Sequence, residues 1–296
     1  MYPKEFEYAS PTSLGEAVAL LKKMGPDAKI LAGGQSLVPL MKFRLASPKY
    51  LLDINGISNL EYIKENGKFI SVGALTRHHS LERSELVKQK LGLFSETASW
   101  IGDPQVRNNG TIGGSLVHSD PAGDWGSAII ASRALLKIQS ARRERIVDSD
   151  HFFKDTFTSA VAPNEILTEI RVPVPPDGGR NAGAYEKLER KAGDFATVGV
   201  GVQLTLSRNG KTFEQAGIGL TSLGPTNLRA KKAEKALVGK NVSLETIEEA
   251  GTAVSEEVKP TDDVLRGSAE YKRAMARVFL KRALTRAARK AGASGV

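Results

Sequence analysis

The sequence predicts an α+β protein in which two small α/β units precede an α+β C-terminal domain. Strand-like and helix-like apolar patterns alternate over the first half of the chain, which is typical of α/β units. A stretch rich in Pro and Gly at residues 173–179 interrupts both patterns. Three strand-like and then three helix-like segments follow it. The 296 residues are about twice a common domain length, and we expect divisions at residues 1–57, 58–176 and 177–296.

The first unit contains a helix whose ends are marked by a polar residue and a glycine. Ser13 precedes the apolar segment at residues 14–24, and Gly25 ends it. A glycine turn at residues 33–36 leads into a second helix, which Ser36 can cap. Strands are predicted at residues 6–9, 29–32 and 50–54.

The later units are predicted from the same signals. The second unit has strands at residues 69–72, 135–140 and 165–172, and helices at residues 75–93, 94–101 and 125–133. The C-terminal domain has a three-stranded antiparallel sheet at residues 184–188, 196–206 and 213–221, and helices at residues 227–237, 244–258 and 268–291.

The net charge of +9 is concentrated in the last predicted helix. The chain has 42 Lys and Arg against 33 Asp and Glu, and nine of those cations with one acid lie from Arg266 onward. The remaining 265 residues therefore carry only +1. A nucleic-acid-binding protein that uses this helix is a possible third class of function, but the body of the chain gives it no support.

The last helix shows two apolar stripes rather than one. We expect one stripe to pack on the domain and the other, bordered by Arg282, Arg286 and Arg289, to meet another subunit or to end in solvent. The first stripe contains Tyr271, Ala274, Met275, Val278 and Phe279, and the second contains Leu280, Ala283, Leu284 and Ala287.

The chain contains no cysteine, which excludes several kinds of chemistry. It can form no disulfide, no thiolate nucleophile and no Cys-ligated zinc or iron–sulfur centre. The N-terminus has no apolar segment behind a basic one, and no apolar run approaches the length of a membrane span. We expect a soluble cytoplasmic protein, with association with the inner face of a membrane left open.

Two glycine turns, at residues 32–37 and 110–115, are the strongest signal of a binding site. A diphosphate is best held by several backbone N–H groups, and glycine lets the backbone approach because it has no Cβ. Two such turns that face one ligand would hold a dinucleotide from both sides. Neither turn has the three spaced glycines of the common dinucleotide-binding fingerprint, and no phosphate-binding loop that ends in Gly-Lys-Ser/Thr is present.

Other polar residues have ordinary interpretations. His78 and His79 are adjacent and point apart, so they predict no metal site. Residues 118–120 contain the letters of a hydrolase triad, but consecutive residues cannot adopt its geometry. We predict no catalytic acid or base and no metal ligand in this chain.

The glycine turns and the segments around them resemble the FAD-binding medium subunit of the molybdenum hydroxylases, the family of carbon monoxide dehydrogenase and xanthine dehydrogenase. The matching segments occur in order over nearly the whole chain, and Gln35, Ser115 and Phe195 depart from common family residues. Those segments are residues 32–36, 40–45, 107–114, 120–124, 164–167, 185–187 and 191–196.

The resemblance implies a flavin-binding domain of the PCMH/VAO type, built from the first two units, and a CO-dehydrogenase-flavoprotein-like C-terminal domain. It places the pyrophosphate between the two turns, Asp124 near the ribityl chain or the ring, and Lys187 as a cation that raises the flavin potential. The implied FAD-binding residues are Ala32, Gly33, Gly34, Gln35, Ser36, Leu37, Ile101, Thr111, Gly114, Ser115, Val117, Gly123, Asp124, Ile166, Leu167 and Lys187.

The resemblance further implies an oxidoreductase subunit that passes electrons through FAD. The molybdenum–pterin site and the 2Fe–2S clusters are expected on a large and a small partner subunit, in a dimer of heterotrimers. Because this chain has no cysteine, its flavin must receive electrons from metal centres on another chain. A self-contained flavin oxidoreductase of the same fold is the alternative. The substrate and the final electron acceptor stay open.

Overall fold

The first α/β unit is a three-stranded parallel sheet in this computed structural model, which describes residues 2–175 and 180–296. The strand order is β1-β3-β2. Ser13 caps the first helix, since its hydroxyl accepts from the Glu16 amide at 3.2 Å, and Gly25 ends it with φ 68°. The elements are β1 (Glu7–Ala9), α1 (Leu14–Met24), β2 (Ala28–Leu31), α2 (Leu37–Lys42) and β3 (Tyr50–Asp53).

Ser36 does not act as the predicted side-chain cap. Its hydroxyl makes no capping hydrogen bond, and its backbone is already helical, with φ −109° and ψ −49°. The helical conformation therefore begins at Ser36 itself, and the hydroxyl of Ser36 does not cap α2.

The second unit is built on an antiparallel sheet with the order β4-β5-β10-β6-β7. A small two-stranded sheet pairs β8 with β9. The strands are β4 (Ile63–Asn66), β5 (Phe69–Gly73), β6 (Leu135–Gln139), β7 (Glu144–Asp148), β8 (Phe153–Asp155), β9 (Thr158–Ser159) and β10 (Ile166–Pro173). The helices are α3 (His78–Arg83), α4 (Glu85–Lys90), α5 (Gly92–Ser99), α6 (Pro104–Asn109), α7 (Ile112–His118) and α8 (Trp125–Ala131).

Two helices differ from their predicted form. The helix predicted over residues 75–93 is broken at Ser84, whose extended backbone ends α3 and whose hydroxyl caps α4. The second glycine turn continues directly into α7, because the Thr111 hydroxyl accepts from the Gly114 amide. Gly113 is needed there because a Cβ would lie 2.6 Å from the Cβ of Ala74.

The C-terminal sheet is packed between two layers of helices. Helices α5 and α8 of the second unit cover one face, and α9 and α11 cover the other. Close approach of α8 depends on glycine, since a Cβ on Gly219 would lie 2.0 Å from the carbonyl oxygen of Ser127. The elements are β11 (Arg180–Leu188), β12 (Val198–Leu206), β13 (Phe213–Thr221), β14 (Leu228–Arg229), α9 (Lys231–Leu237), α10 (Leu244–Glu257) and α11 (Ala269–Lys290).

The predicted three-stranded sheet has a fourth strand, the two-residue β14, which pairs with β13. It begins inside the helix predicted at residues 227–237, so α9 starts at Lys231 instead. Of the predicted boundary at residues 173–179, residues 176–179 lie outside the described residues, and so does the proposed division between residues 176 and 177.

Helix α11 buries a face that combines parts of both predicted stripes. Phe279, Leu280 and Leu284 are buried, whereas Tyr271 is 45% exposed. Its basic end is not free. Arg286 donates to Glu96 of α5 at 2.8 Å and lies 3.0 Å from Glu186. The C-terminal end of α11 therefore joins the C-terminal domain to the second unit. The second stripe of Leu280, Ala283, Leu284 and Ala287 is buried within the chain and not at another subunit, whereas the bordering Arg282 and Arg289 are exposed.

None of the helices in the described parts of the chain has the length and apolar character required to cross a bilayer.

Candidate functional site

The two glycine turns lie against each other across the boundary between the first and second units. A Cβ on Gly33 would be 2.4 Å from the carbonyl oxygen of Asn109 and 2.6 Å from the Cα of Gly110. A Cβ on Gly114 would be 3.6 Å from the Cβ of Ala32. The backbones therefore meet at a distance that only glycine at position 33 permits.

The first turn presents a run of unpaired backbone donors. The amide of Val38 donates to the carbonyl of Gly34 at 3.1 Å, which begins the hydrogen bonding of α2. The five amides before it, at residues 33–37, have no acceptor within the described parts of the chain. Gly34 has φ +72°, a conformation that L side chains rarely adopt. Consecutive unpaired N–H groups of this kind form a site for an anion.

The second turn uses its amides internally. The amide of Ile112 donates to Thr76, that of Gly113 to Ala74, and those of Gly114 and Ser115 to Thr111. The hydroxyl of the half-buried Ser115 and the amide of Thr111 are left without a hydrogen bond among the described residues. The two turns are therefore not equivalent. The first has unpaired backbone donors, whereas the second has most of its amides paired and packs against the first.

Buried His78 supports the second turn from behind. Its Nδ1 accepts from the indole N–H of Trp125 at 3.1 Å, and its amide donates to the carbonyl of Gly110. A Cβ on Gly110 would be 2.7 Å from its Nε2. Burial, with a smaller effect of nearby Arg77 and Arg107, lowers the pKa of His78 to about 3. Sequence reasoning considered this residue only as a metal ligand and missed this supporting role.

The depressed pKa of His78 predicts a loss of stability in acid. The unfolded chain takes up a proton at this residue below about pH 6.5, whereas the folded chain does not until about pH 3. Lowering the pH from 8 to 5 should therefore cost the wild type about 2 kcal/mol more of its unfolding free energy than it costs His78→Gln. Urea unfolding of both proteins at both pH values measures this difference, and an equal acid loss in the two would contradict it.

Asp124 begins α8 and is held in a buried ionic cluster. Its carboxylate accepts from the Tyr185 hydroxyl at 2.5 Å, and both of its oxygens lie 3.2 Å from the Nζ of Lys187. Lys187 also donates to the carbonyl of Trp100 at 3.2 Å. Burial raises the pKa of Asp124, and the ammonium of Lys187 opposes that shift. The cluster joins the second unit to strand β11 of the C-terminal domain.

The Lys187 side chain cannot touch a ligand in this conformation. It has no exposed surface although no ligand covers it. The expected role of Lys187 as a cation near the flavin stays a prediction, and the structure pairs its charge with Asp124 at 3.2 Å and Glu189 at 3.4 Å beneath the protein surface.

The other predicted residues lie at different depths. Ile101, Val117 and Gly123 are half-buried, so they keep surface that a ligand can cover. Ile166 and Leu167 are only 2% and 4% exposed, and they pack into the cores of the first and second units, respectively.

An exposed aromatic ring lies beside Gly123 and its neighbours. Phe195 is 45% exposed, and the amide of the next residue, Ala196, approaches the carbonyl of Ala122 at 3.4 Å. The Ser222 hydroxyl donates to the carbonyl of Ala196 at 2.7 Å. Three loops therefore converge here, which the sequence order alone did not indicate.

The residues present fit a dinucleotide such as FAD. The amides of residues 33–37, which have no acceptor among the described residues, match a pyrophosphate. Within residues 2–175 and 180–296, no three His, Asp or Glu side chains are grouped so that they could hold a metal ion.

Comparison with known proteins gives the family. Residues 4–175 match the family described as the FAD binding domain in molybdopterin dehydrogenase, and residues 183–287 match the CO dehydrogenase flavoprotein C-terminal domain.

The similarity to individual proteins covers nearly the full length. The chain is 44% identical over 287 residues to the carbon monoxide dehydrogenase medium chain of Hydrogenophaga pseudoflava, with 97% of this chain and 98% of that one covered. It is 38% identical to subunit alpha of the 6-hydroxypseudooxynicotine dehydrogenase complex of Paenarthrobacter nicotinovorans, with 98% and 97% covered. A structure of the Hydrogenophaga pseudoflava carbon monoxide dehydrogenase that lacks the Mo-pyranopterin moiety superposes with a TM-score of 0.94, at 45% identity and with 98% and 99% covered.

These matches confirm the predicted family, the fold class, the oxidoreductase class and FAD as the cofactor. The chain belongs to the FAD-binding medium subunits of the molybdenum hydroxylase family.

Proposed function

We propose that this chain holds FAD with its pyrophosphate on the amides of residues 33–37 and carries electrons between a partner's 2Fe–2S clusters and an external acceptor. The observation that carries the proposal is the run of five amides without an acceptor among the described residues, in a turn that packs against the second turn. Bound FAD supplies the exchange of electrons, which no side chain of this cysteine-free chain can provide.

The chain's own residues are proposed to bind and orient the cofactor. The amides of the first turn hold the negative charge of the pyrophosphate, and the Ser115 hydroxyl donates from the opposite side. Ile101, Val117 and Gly123 supply half-buried surface for the rest of the cofactor, and exposed Phe195 supplies an apolar face beside it. Half-buried Ala32 and exposed Gln35 are proposed to contact the cofactor at the first turn. The buried Thr111, Leu167 and Asp124 support this surface from beneath.

The partners are proposed to be a large molybdenum–pterin subunit and a small 2Fe–2S subunit, assembled as a dimer of heterotrimers in the cytoplasm. The relatives named as a medium chain and as a subunit of a complex support a multi-subunit assembly. They are named for different substrates, which agrees with substrate choice on another subunit. The substrate of the complex and the electron acceptor are not specified by this proposal.

The proposal predicts one FAD per chain in the purified native complex. Its visible absorption should be that of a flavin in addition to the iron–sulfur bands, and denaturation should release one FAD for each copy of this chain. A correctly assembled complex without flavin would contradict the proposal. So would turnover of substrate by this chain alone, which would favour the self-contained oxidoreductase.

A further inference from the structure

We propose that Asn55 and Arg77 are positioning residues that hold the two glycine turns at the separation FAD requires, an inference that rests on the proposed function. The two side chains form a relay of hydrogen bonds from one turn to the other. Neither Asn55 nor Arg77 lies in one of the two glycine turns.

The relay begins at the first turn and ends at the second. The Nδ2 of Asn55 donates to the carbonyl of Ala32 at 2.7 Å. The Oδ1 of the same amide accepts from the Nη2 of Arg77 at 2.8 Å. The Nη1 of Arg77 donates to the carbonyl of Asn109, directly before the second turn. Two side chains thus connect the backbones of both turns.

The relay is anchored on the side of the first unit. Asp53 accepts from both the backbone amide of Asn55 at 2.9 Å and its Nδ2 at 2.7 Å. Tyr8 donates its hydroxyl to the other oxygen of Asp53 at 2.7 Å. The Asn55 amide is therefore fixed in the orientation that presents Oδ1 to Arg77 and Nδ2 to Ala32.

The two turns need such a connection because they belong to different cores. Ala32 packs against the core of the first unit, and Ile112 is buried in that of the second. Leu75 and Ile166 of the second unit are also buried in the first core, so packing fixes part of the angle between the units, and the relay adds a direct connection at the turns themselves. The relay crosses this boundary beside the pyrophosphate site.

Arginine fits this role better than lysine does. Its planar guanidinium can donate to two acceptors in different directions at once, whereas a lysine ammonium is a single centre. Arg77 is half-buried and forms no ion pair with a carboxylate within the described residues. Against the opposing effect of burial, its positive charge adds to the hydrogen bonds from Tyr8 and Asn55 that lower the pKa of Asp53. The same charge also favours an anion at the turns.

The test compares FAD binding to the full chain among Asn55→Ala, Arg77→Ala and the double variant. Loss of a relay whose members act together should raise the FAD dissociation constant by about tenfold or more in each single variant. The double variant should be within about twofold of the weaker single variant, because breaking either member already breaks the relay. Arg83→Ala is the matched control, since Arg83 is exposed at the end of α3, the helix that Arg77 precedes, and it should bind like the wild type.

Arg77→Lys separates positioning from charge. The lysine keeps the positive charge but cannot donate in two directions. We therefore expect Arg77→Lys to restore less than half of the FAD affinity, on a logarithmic scale, that Arg77→Ala loses relative to the wild type. Urea unfolding of the FAD-free proteins should give similar midpoints for all variants. If an alanine variant does not fold, Asn55→Ser and Arg77→Lys serve in its place.

Three results would overturn the relay: FAD affinity within twofold of wild type in Asn55→Ala, additive losses in the double variant, or full recovery with Arg77→Lys. In each of these the wild type still binds FAD, so the proposed function stands. Failure of the wild type to bind FAD would instead remove the proposed function.

Discussion

Replacing Lys187 with methionine should lower the free energy of unfolding by about 3–5 kcal/mol at pH 8, because it leaves the buried Asp124 carboxylate without its counter-charge. The Lys187 side chain is fully buried and lies 3.2 Å from both oxygens of Asp124. Only the hydrogen bond from Tyr185 would remain to stabilise the charge. Urea unfolding monitored by circular dichroism measures the loss.

The pH dependence of this variant has a definite sign. Burial already raises the pKa of Asp124, and removing Lys187 removes the main interaction that opposes the shift. The folded variant should therefore take up a proton at Asp124 at a pH where the unfolded chain does not, and it should lose less stability at pH 5 than at pH 8.

Two further variants serve as controls for the ion pair. Lys191→Met changes an exposed lysine four residues later and should leave stability within about 0.5 kcal/mol of wild type. Adding Asp124→Leu to Lys187→Met removes the uncompensated charge and should recover more than half of the loss. Two results would contradict this account of the ion pair. One is a Lys187→Met variant as stable as the wild type, and the other is a double variant less stable than Lys187→Met alone.

Gly33→Ala should weaken FAD binding by a factor of about 10 to 100, because one added methyl group forces the two turns apart. The new Cβ would lie 2.4 Å from the carbonyl oxygen of Asn109, which belongs to the backbone and cannot rotate away. The first turn, with its five unpaired amides, would then shift away from the second turn. Titration of the full chain with FAD measures the change.

Gly92→Ala is the matched control for Gly33→Ala. The same methyl group at Gly92 would have no atom within 4 Å, and its φ is not in the left-handed region. FAD affinity should be unchanged there. Stoichiometric, wild-type FAD binding by Gly33→Ala would show that contact between the turns does not shape the site.

Elements with a strong apolar pattern were predicted closely, and those without one were missed. Helix α1 has the predicted bounds, and β13 matches its prediction, because apolar residues mark both. Strand β7 alternates exposed with half-buried residues, and three of its five residues are charged, so its pattern did not stand out as apolar. Helix α7 was hidden because two consecutive glycines are typical of a turn.

The meeting of the two glycine turns was predicted from the sequence, but the distribution of their donors was not. Whether an amide is unpaired depends on distant partners: Ala74 and Thr76 accept two amides of the second turn, and no described residue does so for the amides at residues 33–37. The same holds for Lys187, whose burial depends on Asp124 and Trp100, 63 and 87 residues earlier. Tertiary packing of this kind leaves no local signal.

The position of the pyrophosphate in a structure of the chain with FAD tests the central claim most directly. We expect phosphate oxygens about 2.7–3.2 Å from amide nitrogens of residues 33–37, with the second turn on the opposite side. A pyrophosphate bound elsewhere, such as in the groove lined by Lys88, Lys90 and Lys290, with the amides of the first turn facing no ligand, would contradict it.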